Sequence, residues 1–503
     1  EIRAATPEQV RKIAQQWLAD GVYKLEVQPY PEYRVAATGA DRQQLPALGA
    51  APALKLPPLQ RATLSNGLQL VLAERHDAPV VQLSLLADAG FAADAGLKPG
   101  TAKLTFDMLD EGAGRYDALQ LAEAAESLGA QLGAGSTLDT SVIRLNALKA
   151  RLAPSLALYA DMMLRPTFPA HELARLKQQQ IAAIRQEKAQ AAGLARRLYT
   201  RLLYGEGHAY ANPLSGSGSE ASVAGIEIAD LRAFYARWVR PDRSTLLIVG
   251  DTTLAEITPL LENALGGWRA PREAAPVKNL ATVRDPARPR LVMVDKPGAE
   301  QSLIMAASLA PPRADPDDLA LQMAATALGG NFVSRLNMNL REDKHWSYGS
   351  FAAISGAKAQ RPFIAYAPVQ ADKTVESLKE LRREFIEATS TRRFDARELD
   401  FARDSLVRSL PGDNETVAEV ANSYAVILTY GLADSYWNDF VREAAALQPQ
   451  TVNAAATRLL RPEALTWIVV GDLSKIEAPL RKQLPALGIS DVQVLDADGA
   501  VLR

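Results

Sequence analysis

Four histidines, His76, His171, His208 and His345, and no cysteine make up the chain's imidazole and thiol chemistry. No two of the histidines stand one helical turn apart, the spacing that aims two imidazoles at one metal ion. The absence of cysteine removes disulfides, thiolate metal sites and cysteine nucleophiles together. His171-Glu172, just after Pro169, reads as a polar pair at the start of a helix. His76, in a turn, and His208, in the Gly-rich stretch YGEGHAY, read as surface residues, and Glu187 in IAAIRQEKAQ reads as solvated. Lys103 and Asp107, four residues apart in TAKLTFD, predict a surface ion pair worth a few tenths of a kcal/mol. Arg341 and Tyr348, seven residues apart, bring together a permanent cation with a fork of N–H donors and a phenolic O–H. By residue type alone the plainer assignment is a solvated run, Arg341 to Lys344, and an aromatic core edge of Tyr348 with Trp346.

The elements that must carry these residues repeat. Residues 228–251, IADLRAFYARWVRPDRSTLLIVGD, read as an amphipathic helix, a Pro-containing turn and an apolar strand ending at Gly250-Asp251. Residues 450–472, QTVNAAATRLLRPEALTWIVVGD, repeat that order to Gly471-Asp472. A third copy, TPEQVRKIAQQWLADGVYKLEVQPY (6–30), stands at the N-terminus with no unit in front of it; Thr6 is its expected N-cap, Pro7 its first helical residue and Gln9 its capping-box partner. It reads as the tail of a preceding unit in a longer tandem, as an arm that packs on a partner, or as a plain N-terminal addition.

Residues 31–62 and 266–289, rich in Pro, Ala and Gly or lacking periodicity, read as linkers. Strand-like runs at 68–72, 81–85 and 290–294 open the two full units, and long helices are expected over 117–129, 150–164 and 172–204. The expected organisation is an extension and linker (1–62), a first domain (63–272), a linker (273–288) and a second domain (289–503). Strands followed by helices and closed by a strand predict an α+β class, two tandem sandwich-like domains with antiparallel-rich sheets rather than a doubly wound parallel sheet.

With 503 residues, 48% hydrophobic and 23% charged, the composition is that of a globular protein of several domains. The net charge of -2 indicates no role in binding nucleic acid. No apolar run approaches the ~20 residues that span a bilayer. Glu1-Ile2-Arg3 does not begin a signal peptide, so any export signal is expected to have been removed.

The stretch LGGNFVSRLNMNLREDKHWSYG (328–349) resembles the signature of pitrilysin/insulinase-type zinc peptidases, in the branch that includes mitochondrial processing peptidases: Gly329-Gly330, then Ser334-Arg335-Leu336, Leu340-Arg341-Glu342 and Ser347-Tyr348-Gly349. The opening LSNGLQLVLAERHDAPVVQLSLLADAGFAAD (64–94), YGEGHAYANPLSG (204–216) and both VGD strand ends are similar to the same family, so the likeness runs from about Thr63 onward. It implies two homologous halves closing as a clamshell on a peptide, with zinc held by H-x-x-E-H on a helix of one half, where two His ligate the metal and the Glu serves as general base. In this chain Lys103 and Asp107 stand where those His belong and Phe106 where the Glu belongs, and Glu187 lies near the place of the third ligand.

The resemblance therefore implies the half without zinc, inactive by itself. It would bind peptide, with Gly329, Gly330, Asn331 and Phe332 beside the substrate, and lend Arg341 and Tyr348 to the scissile carbonyl held at the metal of a homologous zinc-binding subunit. No metal or other cofactor is expected in this chain; zinc belongs to the partner of the heterodimer. The stretches Asn331-Phe332 and His345-Trp346-Ser347 depart from the smaller residues commoner in the family and would reshape the pocket for a substrate side chain. The Ala-rich composition, with Arg favoured over Lys, suits a bacterial source, and bacterial members of the family imply the periplasm. The alternatives are a structural core subunit of a larger assembly with no peptidase role, and the carboxyl half of a single longer peptidase.

Overall fold

The computed structural model describes residues 5–19, 21–27, 49 and 53–503. The N-terminal unit, residues 1–50, contributes one helix, α1 (Pro7–Leu18). Thr6 Oγ1 accepts from Gln9 N at 3.3 Å and Gln9 Oε1 accepts from Thr6 N at 2.8 Å, so the predicted capping box forms. The strand expected after it does not: residues 21–27 make no strand pairing, because no second strand lies beside them among the described residues, and 28–30 lie outside those residues.

Residues 51–503 form one body from two similar halves. In the first, six runs of β-branched and leucine residues make strands β1 (Leu59–Thr63), β2 (Gln69–Glu74), β3 (Val80–Ala87), β4 (Gln131–Ser136), β5 (Ser141–Leu148) and β6 (Ser244–Gly250), in the spatial order β1-β2-β6-β3-β5-β4. In the second, β7 (Arg290–Asp295), β8 (Gln301–Ala310), β9 (Phe351–Ile354), β10 (Arg361–Gln370), β11 (Thr466–Gly471) and β12 (Asp491–Leu495) take the order β12-β7-β11-β8-β10-β9. Apart from β1 and β12 the two orders correspond strand for strand. Each repeat strand, β6 or β11, lies between a parallel neighbour (β2 or β7) and an antiparallel one (β3 or β8). The fold is the expected α+β class with antiparallel-rich sheets.

The helices that matter here are α2 (Thr101–Asp107), α3 (Ala170–Ala189), α4 (Ala191–Tyr204), α5 (Ile228–Trp238), α6 (Asp318–Gly329), α7 (Val417–Tyr430) and α8 (Pro449–Leu459). The helix expected over 172–204 is two, because the chain turns extended at Gln190 (ψ 131°). Residues 268–289, the expected linker region, carry neither helix nor strand. Each half lends a helix to the other's sheet. From the first half, α4 packs on β8 and β11; from the second, Val420, Tyr424 and Ile427 of α7 cover Leu247 and Val249 of β6. Both faces of each central strand are thereby buried, and the halves are locked by core packing rather than by the linker alone.

Candidate functional site

Helix α2 carries Lys103, Phe106 and Asp107, the positions at which the resemblance expects a zinc motif to be replaced. It begins at Gly100, whose φ of 101° only glycine takes without strain, and the buried Asp94 carboxylate caps it by accepting from Gly100 N and Ala102 N, both at 2.8 Å. Burial pushes that carboxyl up to about 7, while the two backbone donors pull the other way. Phe106 is fully buried and tilts against Tyr235, so its side chain belongs to the core. Lys103 Nζ and Asp107 Oδ2 form the expected ion pair at 2.6 Å. Glu187 is not solvated as expected: its Oε2 accepts from Nη1 of the buried Arg197 at 2.5 Å, and Arg197 also donates to Ser217 Oγ and to the Gly218 carbonyl. A buried guanidinium thus engages one oxygen of this half-buried carboxylate, which also accepts from Ser217 Oγ. Among the described residues no group of three or more His, Asp or Glu is placed to hold a metal ion.

The histidines are scattered. His76 sits exposed between Asp251 and Glu74, and His171 pairs with Glu172 at 3.3 Å as expected. His208 is buried rather than at the surface, stacked on Tyr204 with ring centroids 4.7 Å apart; burial pushes its imidazole below the ordinary value, so it is a neutral core residue.

The second half brings Arg341, Phe332 and Tyr348 together. The Arg341 guanidinium lies 3.9 Å from the centroid of the Phe332 ring and 5.4 Å from that of Tyr348, held between the two aromatics. Arg341 is not part of a solvated run: its side chain is only 23% exposed, and its Nη1 makes no hydrogen bond, although Glu342 Oε1 is 3.3 Å away. Tyr348 is not at a core edge either, being 87% exposed, with Phe332 65% exposed beside it. The arrangement sets a largely buried cation, held by two rings, beside an exposed phenol.

Local backbone makes this geometry. Gly329 ends α6 against the edge strand β9, where a Cβ would come 2.6 Å from Ala352 N, and a Cβ on Gly330 would meet Thr326 Cα at 2.6 Å. The glycine pair lets the loop carrying Asn331 and Phe332 fold back this tightly; Gly329 is buried and Gly330 exposed. Residues Met338–Asp343 form a π-helical turn, a feature often found at functional sites, and the chain reverses at His345 with a φ of 57°. Ser347 Oγ donates to the Pro368 carbonyl at 2.6 Å, anchoring the return.

Sequence reasoning passed over Asn337. Its buried amide donates to the Asn331 and Ser350 carbonyls, at 3.0 and 2.9 Å, and accepts from Ser350 N at 2.7 Å, tying the glycine loop to the tyrosine loop. Arg335, in the Ser-Arg-Leu motif, is buried in a two-pronged pair with Glu398 (2.7 and 2.6 Å) over the Phe394 ring and does not reach the site.

Two tandem α/β units, the first with a core-packed α2 and the second carrying a largely buried Arg341 beside an exposed Tyr348, stand here without a cluster of metal-ligating side chains among the described residues. Residues 69–210 match the family described as Insulinase (Peptidase family M16), and residues 225–406 match the Peptidase M16 inactive domain. The chain is 22% identical over 412 residues to the non-peptidase homolog YmxG of Helicobacter pylori, covering 81% of this chain and 92% of that protein. It is similar to the crystal structure of a peptidase M16 inactive domain from Pseudomonas fluorescens (TM-score 0.74, 28% identity, 82% of this chain and 97% of that one). It also shares the fold of the periplasmic protease PqqL from Escherichia coli (TM-score 0.66, 17% identity), covering 86% of this chain but 50% of PqqL. The chain belongs to the M16, insulinase-like family of peptidases, and it lacks that family's zinc motif.

Proposed function

We propose that this chain is the non-zinc half of a composite M16 peptidase, closing on a homologous half that carries H-x-x-E-H and zinc, and that Arg341 and Tyr348 stabilise the substrate's developing oxyanion there. The observation that carries the proposal is the pairing of a filled α2 with an Arg341 preset between Phe332 and Tyr348. Attack on a peptide carbonyl puts negative charge on its oxygen, and donors fixed in advance stabilise that charge without reorganising. Tyr348 donates its O–H from an exposed ring, while Arg341 supplies positive charge beside it, with its Nη1 buried 3.3 Å from Glu342 Oε1. The exposed Phe332 ring and the loop Gly329–Asn331 form the wall against which the substrate lies, and the edge strands β4 and β9 offer unpaired backbone to an extended peptide.

The substrate is an unfolded peptide, the metal sits in the partner, and this half alone is inactive. Periplasmic placement in a bacterium belongs to the same proposal and is supported by the likeness to PqqL. A purely structural role in a larger assembly leaves the Arg–Tyr geometry without a purpose. The test is to purify the chain alone and mixed with an H-x-x-E-H homologue from the same source, then assay a quenched peptide and zinc content. Zinc and cleavage in the mixture only, with co-elution of both chains, is expected; cleavage by this chain alone, or no association, overturns the proposal.

A further inference from the structure

The apolar pattern of α1 has counterparts inside this chain. Counting from the first residue of each helix, the fourth, seventh, eighth, eleventh and twelfth positions are Leu231, Phe234, Tyr235, Trp238 and Val239 for α5. They are Val452, Ala455, Ala456, Leu459 and Leu460 for α8. In both copies these positions are buried or nearly so, in the same hydrophobic core as the strand that follows, β6 or β11. The same positions counted from Pro7 are Val10, Ile13, Ala14, Trp17 and Leu18. No residue of α1 is buried, and Trp17 and Leu18 are 75% and 80% exposed.

The segment after α1 continues the correspondence. Tyr23, Leu25 and Val27 alternate with Lys24 and Glu26, the pattern of a strand with one face buried and one solvated, yet all three apolar residues are exposed. An isolated 12-residue helix is marginal in water even when capped, so this amphipathic face calls for a covering surface. In both places where this chain holds such a helix and strand, the strand fills the slot between a parallel and an antiparallel neighbour.

We infer that α1 and residues 22–27 form a docking arm whose receptor is another α/β unit of this family, with the slot between its counterparts of β2 and β3 left open. Residues 22–27 add a strand there, through backbone hydrogen bonds. The stripe Val10, Ile13, Trp17, Leu18 covers the face that Tyr23, Leu25 and Val27 share, while Lys24 and Glu26 face water. Within residues 51–503 the corresponding slots are filled by β6 and β11. The docking does not involve Arg341 or Tyr348, so it fails or stands separately from the catalytic reading.

The test places a photo-crosslinking amino acid at Leu25, and in a second variant at Lys24, in the full chain expressed in its native host, with cross-linked peptides identified by mass spectrometry. Leu25 is expected to link to a strand or helix of an M16-type unit, and Lys24 to give at least tenfold less product. Adding Tyr23→Asp and Val27→Asp is expected to abolish the Leu25 link while leaving the thermal unfolding of residues 51–503 unchanged. A link to a protein of another fold, a link to a second copy of this chain, or equal yields from Leu25 and Lys24 overturns the inference.

Discussion

At the scale of residues, the loops carrying Phe332 and Tyr348 are tied together by a side chain outside the Arg–Tyr pair. That side chain is Asn337: one buried amide satisfies three backbone groups from the two loops. Asn337→Ala leaves those groups without partners in a buried setting, where each unsatisfied group costs about 1–3 kcal/mol. The expected loss of stability is about 2–3 kcal/mol by urea denaturation, with a larger fractional loss of activity in the assembled peptidase than a distant core substitution of equal cost produces. The Arg–Tyr pair was legible through its spacing and flanking motif. Asn337 was not, because an asparagine's worth depends on which backbone atoms the folded loops bring to it. The sandwich of Arg341 by Phe332 was equally hidden, since it needs the π-helical turn and the reversal at His345, which no local propensity announces.

At the scale of elements, α2 is a helix held by its core face and its cap. Phe106 packs in the core, whereas Lys103 and Asp107 form a partly exposed pair. Phe106→Ala is therefore expected to cost about 3–5 kcal/mol, the range for a buried aromatic, while Lys103→Ala with Asp107→Ala costs less than about 1 kcal/mol. Chemical denaturation of the two variants checks the contrast; comparable losses would contradict it. The two full helix–strand repeats were readable because each keeps its helical apolar period and closes on Gly-Asp, at 250–251 and 471–472. The break of the long helix at Gln190 was missed, since IAAIRQEKAQAAGLARR holds no proline and its glycine lies beyond the turn. Glu187 and His208 were misplaced for a shared reason: Arg197 and Tyr204 cover them from α4, a contact that the linear spacing does not display.

At the scale of the whole molecule, the two halves meet through exchanged helices and a buried polar seam. Lys278 of the linker and Lys358 of the second half both donate to Asp88 of the first, at 2.7 and 2.9 Å. Asp139 accepts from Tyr210 Oη at 2.6 Å and from Lys358 N at 3.0 Å. Burial alone would raise the Asp88 carboxyl, but its attraction to Lys278 and Lys358 outweighs that and holds it below the ordinary value. A carboxyl lowered in the folded state contributes stability that is fully present above its unfolded value near 4 and is lost as pH falls through the folded value. Acidification below about pH 4 is thus expected to loosen the seam, and Asp88→Asn to remove that part of the pH dependence. At neutral pH the same substitution costs about 2–3 kcal/mol, less than a fully buried pair because Asp88 is one-third exposed. Thermal unfolding from pH 3 to 7 of both proteins checks this. The two-unit plan was visible in the sequence, but the exchange of α4 and α7 was not, because a helix's own pattern states that it has an apolar face and not whose sheet it covers.

The central claim is that a half without zinc still carries part of an active site, and it is tested most directly by substitution at Tyr348 and Arg341 in the reconstituted two-chain peptidase. Tyr348→Phe and Arg341→Ala are each expected to lower kcat on a quenched peptide by about 10²–10³, the usual effect of losing one oxyanion donor, with KM and association between the chains little changed. Wild-type kcat in both variants, with the complex intact, would contradict the account.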